Sequence, residues 1–296
     1  MLDIIVFGSE GQLGYDCTKI LSEKYNVHPF SSLININDYN SIFEVIKQIG
    51  PEFVINCAAI TDFKYLNQSA DKYNKVNSDG VKKLSEICDK FGSNLIHISS
   101  NYVFDGFKSI LQDVDSGYTV SDSTNPINIY GESKLKGEKH IQSILSENQY
   151  VILRVAWIYG IGGKLNNPAN YVKTFINNIF SNAKDNIQIS NNRYGSPTNT
   201  EDVSKFIDYL ISNRITGLLH FNSNKYCTRY QFSKSILNLL NIKDVEIEID
   251  DSINSLFPIN NILSNTIHQY NIPTWQESIE NFINKYSQSL LRGKYV

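Results

Sequence analysis

Three side chains near the middle of the sequence are of types that can transfer a proton to a carbonyl group. Ser99 and Ser100 end an apolar segment, and Tyr130 is followed four residues later by Lys134. A free tyrosine has a pKa of about 10 and exchanges protons poorly near neutral pH. A lysine ammonium one helical turn away would lower that pKa, so that Tyr130 could act as a general acid while Ser100 orients the carbonyl. This set predicts carbonyl reduction, with Lys134 also holding the ribose of a nicotinamide cofactor.

The spacing of Tyr130 and Lys134 is not specific by itself. With 18 tyrosines in the chain, about one such match is expected by chance. The Tyr-x-x-x-Lys pattern occurs twice more, at Tyr15/Lys19 and at Tyr230/Lys234. Only Tyr130 follows a strand that ends in adjacent serines, and ligands bind at the carboxyl ends of parallel strands. We therefore assign catalysis to Ser100, Tyr130 and Lys134; the alternative is an exposed helix that carries Tyr130 and Lys134 without a function.

A glycine-rich turn near the N-terminus is suited to a dinucleotide. Glycines at positions 8, 11 and 14 follow an apolar run at 4–7 and open an amphipathic stretch at 12–24. Such a turn lets the backbone approach a pyrophosphate, and the helix N-terminus faces the negative charge. Residues 27–32 offer no carboxylate for a ribose 2′-hydroxyl and no arginine for a 2′-phosphate. NADPH is therefore favoured slightly and NADH stays open; the alternative is an ordinary turn between strand and helix.

The elements that must position these residues alternate along the first half of the chain. Apolar runs at 4–7, 53–56, 94–99 and 151–155 are separated by helical stretches at 12–24, 70–91 and 130–144. This alternation is typical of a parallel sheet covered on both faces. We predict an α/β fold, a Rossmann-like doubly wound parallel sheet with a smaller, interwoven C-terminal substrate lobe.

The pattern after Trp157 is less regular and predicts the second lobe. A strand at 217–221 returns to the main sheet, and helices are expected at 230–240 and 276–286. We therefore assign 1–155, with 202–225 returning to it, to a dinucleotide-binding domain. Residues 156–201 and 226–296 are assigned to substrate binding.

Composition excludes several classes of protein. A chain of 296 residues with 41% hydrophobic residues is long enough for a globular domain with a smaller lobe. The net charge of −3 gives no reason to expect nucleic acid, and no apolar run reaches the ~20 residues of a membrane span. The four cysteines are widely spaced and the histidines lack metal-ligand spacing. We therefore expect a cytoplasmic protein without disulfides, a metal site or a membrane partner.

With these residues in view, the chain resembles the dTDP-4-dehydrorhamnose reductases of the extended short-chain dehydrogenase superfamily. The resemblance rests on the segments at 8–14, 54–61, 99–106, 125–138, 154–159 and 194–198. It implies that the cofactor is bound by Gly8, Gly11, Gln12, Leu13, Gly14, Asn35, Ile36, Cys57, Ala58, Ala59, Tyr130 and Lys134. It also implies that Thr61, Tyr102, Val103 and Trp157 line the sugar pocket.

Three positions depart from the family pattern. The catalytic hydroxyl is usually a threonine and is Ser100 here, which should preserve its role. The residue beside the adenine is usually an aspartate and is Asn35, so cofactor preference is not decided by it. Cys57 replaces an alanine and is interpreted as a packed thiol.

The resemblance implies reduction of the 4-keto group of a nucleotide-linked 4-dehydro-6-deoxyhexose. Related dehydratases place an acid pair directly after the catalytic hydroxyl, where this chain has Asn101 and Tyr102. The rival hypothesis is an NADP-binding regulatory subunit that resembles the methionine adenosyltransferase β subunit, which also has a serine at the position of Ser100. The nucleotide (dTDP, UDP or another), the stereochemistry at C4 and a homodimer all stay open.

Overall fold

The computed structural model describes residues 1–31, 35–61, 70–110, 117–163, 170–181, 187–252 and 256–291. The strands in this part of the chain are β1 (Asp3–Phe7), β2 (Asn26–Phe30), β3 (Phe53–Asn56), β4 (Asn94–Ser100), β5 (Tyr150–Val155), β6 (Ile158–Tyr159), β7 (Ile187–Ile189), β8 (Tyr194–Gly195), β9 (Thr198–Asn199), β10 (Gly217–Phe221), β11 (Cys227–Thr228) and β12 (Ile247–Ile249). The α-helices are α1 (Gln12–Leu21), α2 (Tyr39–Ile49), α3 (Ala70–Asn74), α4 (Val81–Phe91), α5 (Ile129–Ile144), α6 (Tyr171–Ser181), α7 (Thr200–Ser212), α8 (Arg229–Leu239) and α9 (Trp275–Leu291).

The main sheet is parallel throughout, and its strand order is β10-β5-β4-β3-β1-β2 across the described residues. β2 lies on one side of β1, and β3 lies on the other. The chain thus winds outward in both directions from β1, and a crevice opens at the carboxyl ends of β1 and β3, where ligands bind in such folds. The predicted doubly wound α/β fold is confirmed, including the return of residues 217–221 to the sheet beside β5.

Helices bury both faces of this sheet, which explains why its inner strands β1, β3 and β5 are rich in apolar residues. One core cluster joins alternate strand residues such as Ile4 and Val6 to α1 and α7, and the other joins Ile5 and Phe7 to α2, α4 and α5. All four side chains are fully buried. Burial of each side chain contributes about 1.5–3 kcal/mol to the free energy of unfolding. The sheet is therefore a stable support for side chains at the carboxyl ends of its strands.

The helical stretch predicted at 70–91 contains a π turn, which the sequence did not reveal. Residues 75–80 form this turn between α3 and α4. It points Asn77 at the segment after β3, where its amide bonds both the N–H and the carbonyl of Ile60, at 2.9 and 3.1 Å. The same amide donates to Ser133 Oγ of α5. The π turn therefore holds α5 and the segment before Thr61 in one arrangement.

The C-terminal part of the chain has a hydrophobic core of its own. Side chains of α6, α8 and α9 pack around Tyr159 in a cluster separate from the two sheet cores. α8 begins with a capping box, in which Thr228 and Gln231 satisfy each other's backbone N–H. The boundaries assigned to the two lobes stay predictions. No helix within the described ranges is long and apolar enough to cross a membrane.

Candidate active site

A cleft of about 1070 Å³ opens at the carboxyl ends of the central strands, and we call it the central cleft. Its lining residues come from the glycine turn, the ends of β3, β4 and β5, and helices α5, α6 and α8. They are Gly11, Gln12, Leu13, Cys57, Ala59, Thr61, Ile98, Ser99, Ser100, Asn101, Tyr102, Tyr130, Lys134, Val155, Ala156, Trp157, Ile158, Tyr171 and Arg229. The structure thus brings Ser100, Tyr130 and Lys134 together with part of the glycine turn.

Ser100 and Tyr130 face each other at the base of the cleft. Ser100 is the last residue of β4, and its Oγ accepts a hydrogen bond from the Tyr102 N–H at 3.2 Å. Tyr130 lies in the first turn of α5, which Asn128 caps by accepting from the Gly131 N–H. Burial raises the pKa of Tyr130 to about 12, and a hydrogen bond from Ser100 opposes this only in part. The lowered pKa that the sequence led us to expect is therefore wrong, because burial dominates and the Lys134 charge is not among the groups that act on Tyr130. Tyr130 thus keeps its proton and can donate it.

The Lys134 amine contacts β4, although the sequence predicted that its main effect would be on the pKa of Tyr130. Its Nζ donates to the Ile98 carbonyl at 2.7 Å and lies 3.1 Å from His97 Nε2. Burial lowers the pKa of Lys134 to about 8, while Glu138 and Cys57 act in the opposite direction. The amine is therefore mostly protonated at pH 7 and loses its proton around pH 8, far below the usual range of a lysine.

A buried ion pair fixes α5 against the sheet below the site. Glu138 accepts two hydrogen bonds from the Arg154 guanidinium of β5, at 2.9 and 2.7 Å, and a third from Ser99 Oγ. Both charged side chains are almost fully buried. Because Tyr130, Lys134 and Glu138 lie one turn apart on one face of α5, this pair sets how far the reactive side chains project into the cleft.

The glycine turn fits the pyrophosphate of a dinucleotide. Gly8 adopts a φ of 76°, and α1 begins after Gly11 without any side-chain cap. The first N–H groups of α1 are therefore open to an anion. Gln12 Oε1 is buried and has no hydrogen-bond partner in the described residues. A polar ligand that reaches this turn could accept hydrogen bonds from the N–H groups of α1 and donate one to Gln12 Oε1.

Gly14 provides a test of that turn that does not need a ligand. A Cβ at this position would lie 2.1 Å from the Gly8 carbonyl oxygen, whereas one at Gly11 would meet the same oxygen at 3.2 Å. We expect Gly14→Ala to lower the free energy of unfolding by about 1–3 kcal/mol through overpacking. Gly11→Ala is the matched control and should cost much less in urea denaturation. Equal losses in the two variants would contradict the close approach.

The other predicted cofactor residues fall into two groups. Cys57 and Ala59 line the cleft, and the Ala58 N–H donates to Asn56 Oδ1 at 3.1 Å. Asn35 is exposed and accepts from the Asn37 N–H, and the side chain of Ile36 packs in the sheet core. Neither Asn35 nor Ile36 lines the central cleft, so their contact with an adenine stays a prediction.

Three of the four predicted substrate residues reach the cleft. Thr61, Tyr102 and Trp157 line it, while Val103 is fully buried against Phe104 and does not. The side chain of Val103 lies in the core because of the short turn after β4, so the assignment of Val103 to the sugar pocket stays a prediction. Trp157 has a φ of 45°, an uncommon conformation for this residue type that is enriched at functional sites as well as in tight turns.

Two arginines on the substrate side were missed in the sequence. Arg229 lies with its guanidinium carbon 3.7 Å from the Trp157 ring centroid, and Arg193 stacks on Phe257 at 5.0 Å. They also line a second cleft, of about 860 Å³, that adjoins the first at Tyr102 and Trp157. No carboxylate in the described part of the chain forms an ion pair with either arginine. Positive charge that no described carboxylate neutralises is suited to an anionic ligand.

Among the described residues, no three His, Cys, Asp or Glu side chains lie together in a position to hold a metal ion. All four cysteines are free thiols, and Cys57 is the one that is not fully buried.

Comparisons with known proteins agree with this geometry. The profile of the RmlD substrate binding domain matches residues 2–288. The spore coat polysaccharide biosynthesis protein SpsK of Bacillus subtilis is 29% identical over 239 residues, which are 80% of this chain and 79% of that protein. The methionine adenosyltransferase 2 subunit beta of Bos taurus is 28% identical over 255 residues, which are 81% of this chain and 72% of that protein.

Among solved structures, dTDP-4-dehydrorhamnose reductase from Bacillus anthracis in complex with NADP superposes with a TM-score of 0.86 at 28% identity. The match covers 96% of this chain and 100% of that one. Because the profile spans nearly the whole chain and the fold agrees over the same length, this chain belongs to the dTDP-4-dehydrorhamnose reductase family.

Proposed function

We propose that this protein is an NADPH-dependent reductase that converts dTDP-4-dehydrorhamnose to dTDP-L-rhamnose. The observation that carries the proposal is the meeting of Ser100, Tyr130 and Lys134 in one cleft with the glycine turn. When bound, the cofactor supplies the hydride for C4 of the sugar. Tyr130 supplies the proton for the carbonyl oxygen, and Ser100 orients that oxygen. Gly8, Gly11, Gln12, Leu13 and Gly14 hold the pyrophosphate.

The residues after Ser100 favour reduction over loss of water. Asn101 donates through its side-chain amide to Asn261 Oδ1 at 2.7 Å and is buried. A dehydratase would need a carboxylic acid at this point to protonate the leaving hydroxyl. An amide cannot release a proton near neutral pH, so the site is equipped for proton delivery from Tyr130 alone.

The test is NADPH oxidation at 340 nm with enzymatically generated dTDP-4-dehydrorhamnose. Substrate-dependent oxidation with formation of dTDP-L-rhamnose is the expected result. NADP binding without any turnover would instead support the rival, a regulatory subunit similar to the bovine protein. If only UDP-linked sugars were reduced, the proposed substrate would be UDP-linked and the proposed reaction class would stand.

Arg229 and Arg193 support a diphosphate on the substrate. We expect Arg229→Met to weaken binding of dTDP about 30-fold, since a hydrogen bond to a charged group contributes about 1.5–3 kcal/mol. Isothermal titration calorimetry with dTDP measures this directly. Arg214→Met is the matched control, because Arg214 is exposed and paired with Glu52 away from the cleft. Unchanged dTDP affinity in Arg229→Met would remove this arginine from the nucleotide site.

We further infer a cytoplasmic location, because nucleotide sugars and NADPH are supplied there. The four free thiols are consistent with a reducing compartment. A homodimer also stays a proposal, and sedimentation of the purified protein tests it.

A further inference from the structure

His97 is buried in β4 between two groups that fix how its ring is protonated. On one side Asn56 Nδ2 lies 3.1 Å from His97 Nδ1, and on the other Lys134 Nζ lies 3.1 Å from His97 Nε2. The ring is fully buried, and burial together with the Lys134 charge lowers the pKa of His97 well below its usual value. His97 is therefore neutral and carries one ring proton, which must be on Nδ1 or on Nε2.

Asn56 decides between these two positions. Its Oδ1 accepts a hydrogen bond from the Ala58 N–H at 3.1 Å, which orients the amide so that Nδ2 faces the histidine. An amide Nδ2 only donates, so His97 Nδ1 is the acceptor and the ring proton is on Nε2. The Ala58 backbone thus sets the tautomer of His97 through Asn56.

This tautomer points an N–H at Lys134. A lysine ammonium also has only donors, so the two groups cannot form a hydrogen bond while Lys134 is charged. A neutral amine has a lone pair that accepts from Nε2–H, and it still donates to the Ile98 carbonyl at 2.7 Å. The contact therefore favours the neutral form of Lys134. Of the titratable groups that act on Lys134, Glu138 on α5 and Cys57 after β3 favour the charged form.

From this geometry we infer that His97 is a positioning residue, held as the Nε2–H tautomer by Asn56, which stabilises neutral Lys134 and so lets Lys134 release a proton during turnover. The inference rests on the proposed function. After Tyr130 has given its proton to the carbonyl oxygen, the phenolate takes one from water in the cleft, and the Lys134 ammonium replaces the proton that this water has lost. Lys134 becomes a neutral amine bonded to His97 Nε2–H, and water then reprotonates it. The electron pair for the C–H bond arrives with the hydride.

Two substitutions of Asn56 distinguish the effect of the His97 tautomer on the Lys134 pKa from the effect of an added charge. Asn56→Leu removes the donor without adding charge, and Asn56→Asp replaces the donor with an acceptor. In both, His97 is expected to move its proton to Nδ1 and to accept from the Lys134 ammonium through Nε2. The Lys134 pKa should then rise by about one unit or more, a tenfold gain in proton affinity. A rise in Asn56→Asp alone would be a charge effect and would overturn the inference.

Nuclear magnetic resonance tests the inference without any turnover. Nitrogen-15 shifts of histidine give the tautomer, with His97→Gln identifying the signal, and lysine ¹³Cε shifts give the Lys134 pKa. An Nδ1–H tautomer in the unmodified protein overturns the inference even if neither Asn56 variant folds.

The pH dependence of kcat then tests whether the His97–Lys134 contact matters for the reaction. We expect the alkaline limb of the kcat profile to move to higher pH in both Asn56 variants, with little change in KM. If the Lys134 pKa rises but the alkaline limb of the kcat profile does not move, the inference that Lys134 releases a proton during turnover is overturned. A protein with no reductase activity but the expected tautomer and Lys134 pKa would count against the proposed function and leave the His97 contact established.

Discussion

Replacement of Tyr130 by phenylalanine should lower kcat about 10³-fold, within the range that a general acid contributes. Tyr130 is buried, and its pKa is raised to about 12, so it holds a proton at every physiological pH. Phenylalanine keeps the ring contacts with Tyr73 and Tyr102, at centroid distances of 6.3 and 5.5 Å, and loses only the hydroxyl. NADPH oxidation at 340 nm measures the loss, and calorimetric titration with NADPH should show that the cofactor still binds.

The chain contains its own control for this experiment. Tyr230 and Lys234 have the same spacing on α8, where Lys234 Nζ lies 5.7 Å from the ring centroid of Tyr230. Tyr230 does not line the central cleft, so Tyr230→Phe should retain most of the activity. Retained turnover in Tyr130→Phe, or equal losses in the two variants, would show that Tyr130 is not the acid.

The sheet and its reactive edge were predictable because their signals are local. An apolar run that is buried on both faces reads as a parallel strand wherever it occurs, and the predicted strands at 53–56 and 151–155 agree with β3 and β5 to within one residue. The serines at the end of β4 then locate the site, since all parallel strands end at one edge. This is why the sequence alone places Ser100 and Tyr130 in one site.

The features that were missed depend on contacts between distant parts of the chain. The π turn at 75–80 has no distinctive composition, and its function is visible only in the bonds from Asn77 to Ile60 and Ser133. Arg229 directly precedes Tyr230 in a stretch that reads as an ordinary amphipathic helix. It becomes a site residue because α8 packs it against Trp157, 72 positions earlier in the chain.

Charge states were the least predictable property of the site. From spacing alone, Lys134 was expected to lower the pKa of Tyr130, because one helical turn separates them. The structure shows that Lys134 Nζ instead bonds Ile98 and His97, and that burial dominates both pKa values. Desolvation depends on everything that covers a group, so no pattern of two residues can predict its size.

Substitution of Arg154 by leucine should lower the free energy of unfolding by about 3–5 kcal/mol, the usual effect of removing one partner from a buried ion pair. The Arg154 and Glu138 side chains are only 4% and 2% exposed, so the remaining carboxylate could not be hydrated without opening the core. Arg154 also lies over the Phe104 ring at 5.1 Å, and leucine would keep part of that packing. Urea denaturation measures the change.

The double variant Arg154→Leu/Glu138→Leu decides whether charge or shape is responsible. Removing both charges leaves no uncompensated group, so this variant should be more stable than Arg154→Leu alone, even though it has lost more hydrogen bonds. If the double variant is the less stable of the two, packing and not charge burial sets the cost. Lys24→Met, at an exposed ion pair with Asp208, should change stability little. Because Glu138 shares one face of α5 with Tyr130, the stable double variant should still lose turnover, since Ser99 and α5 are no longer tied together at the site.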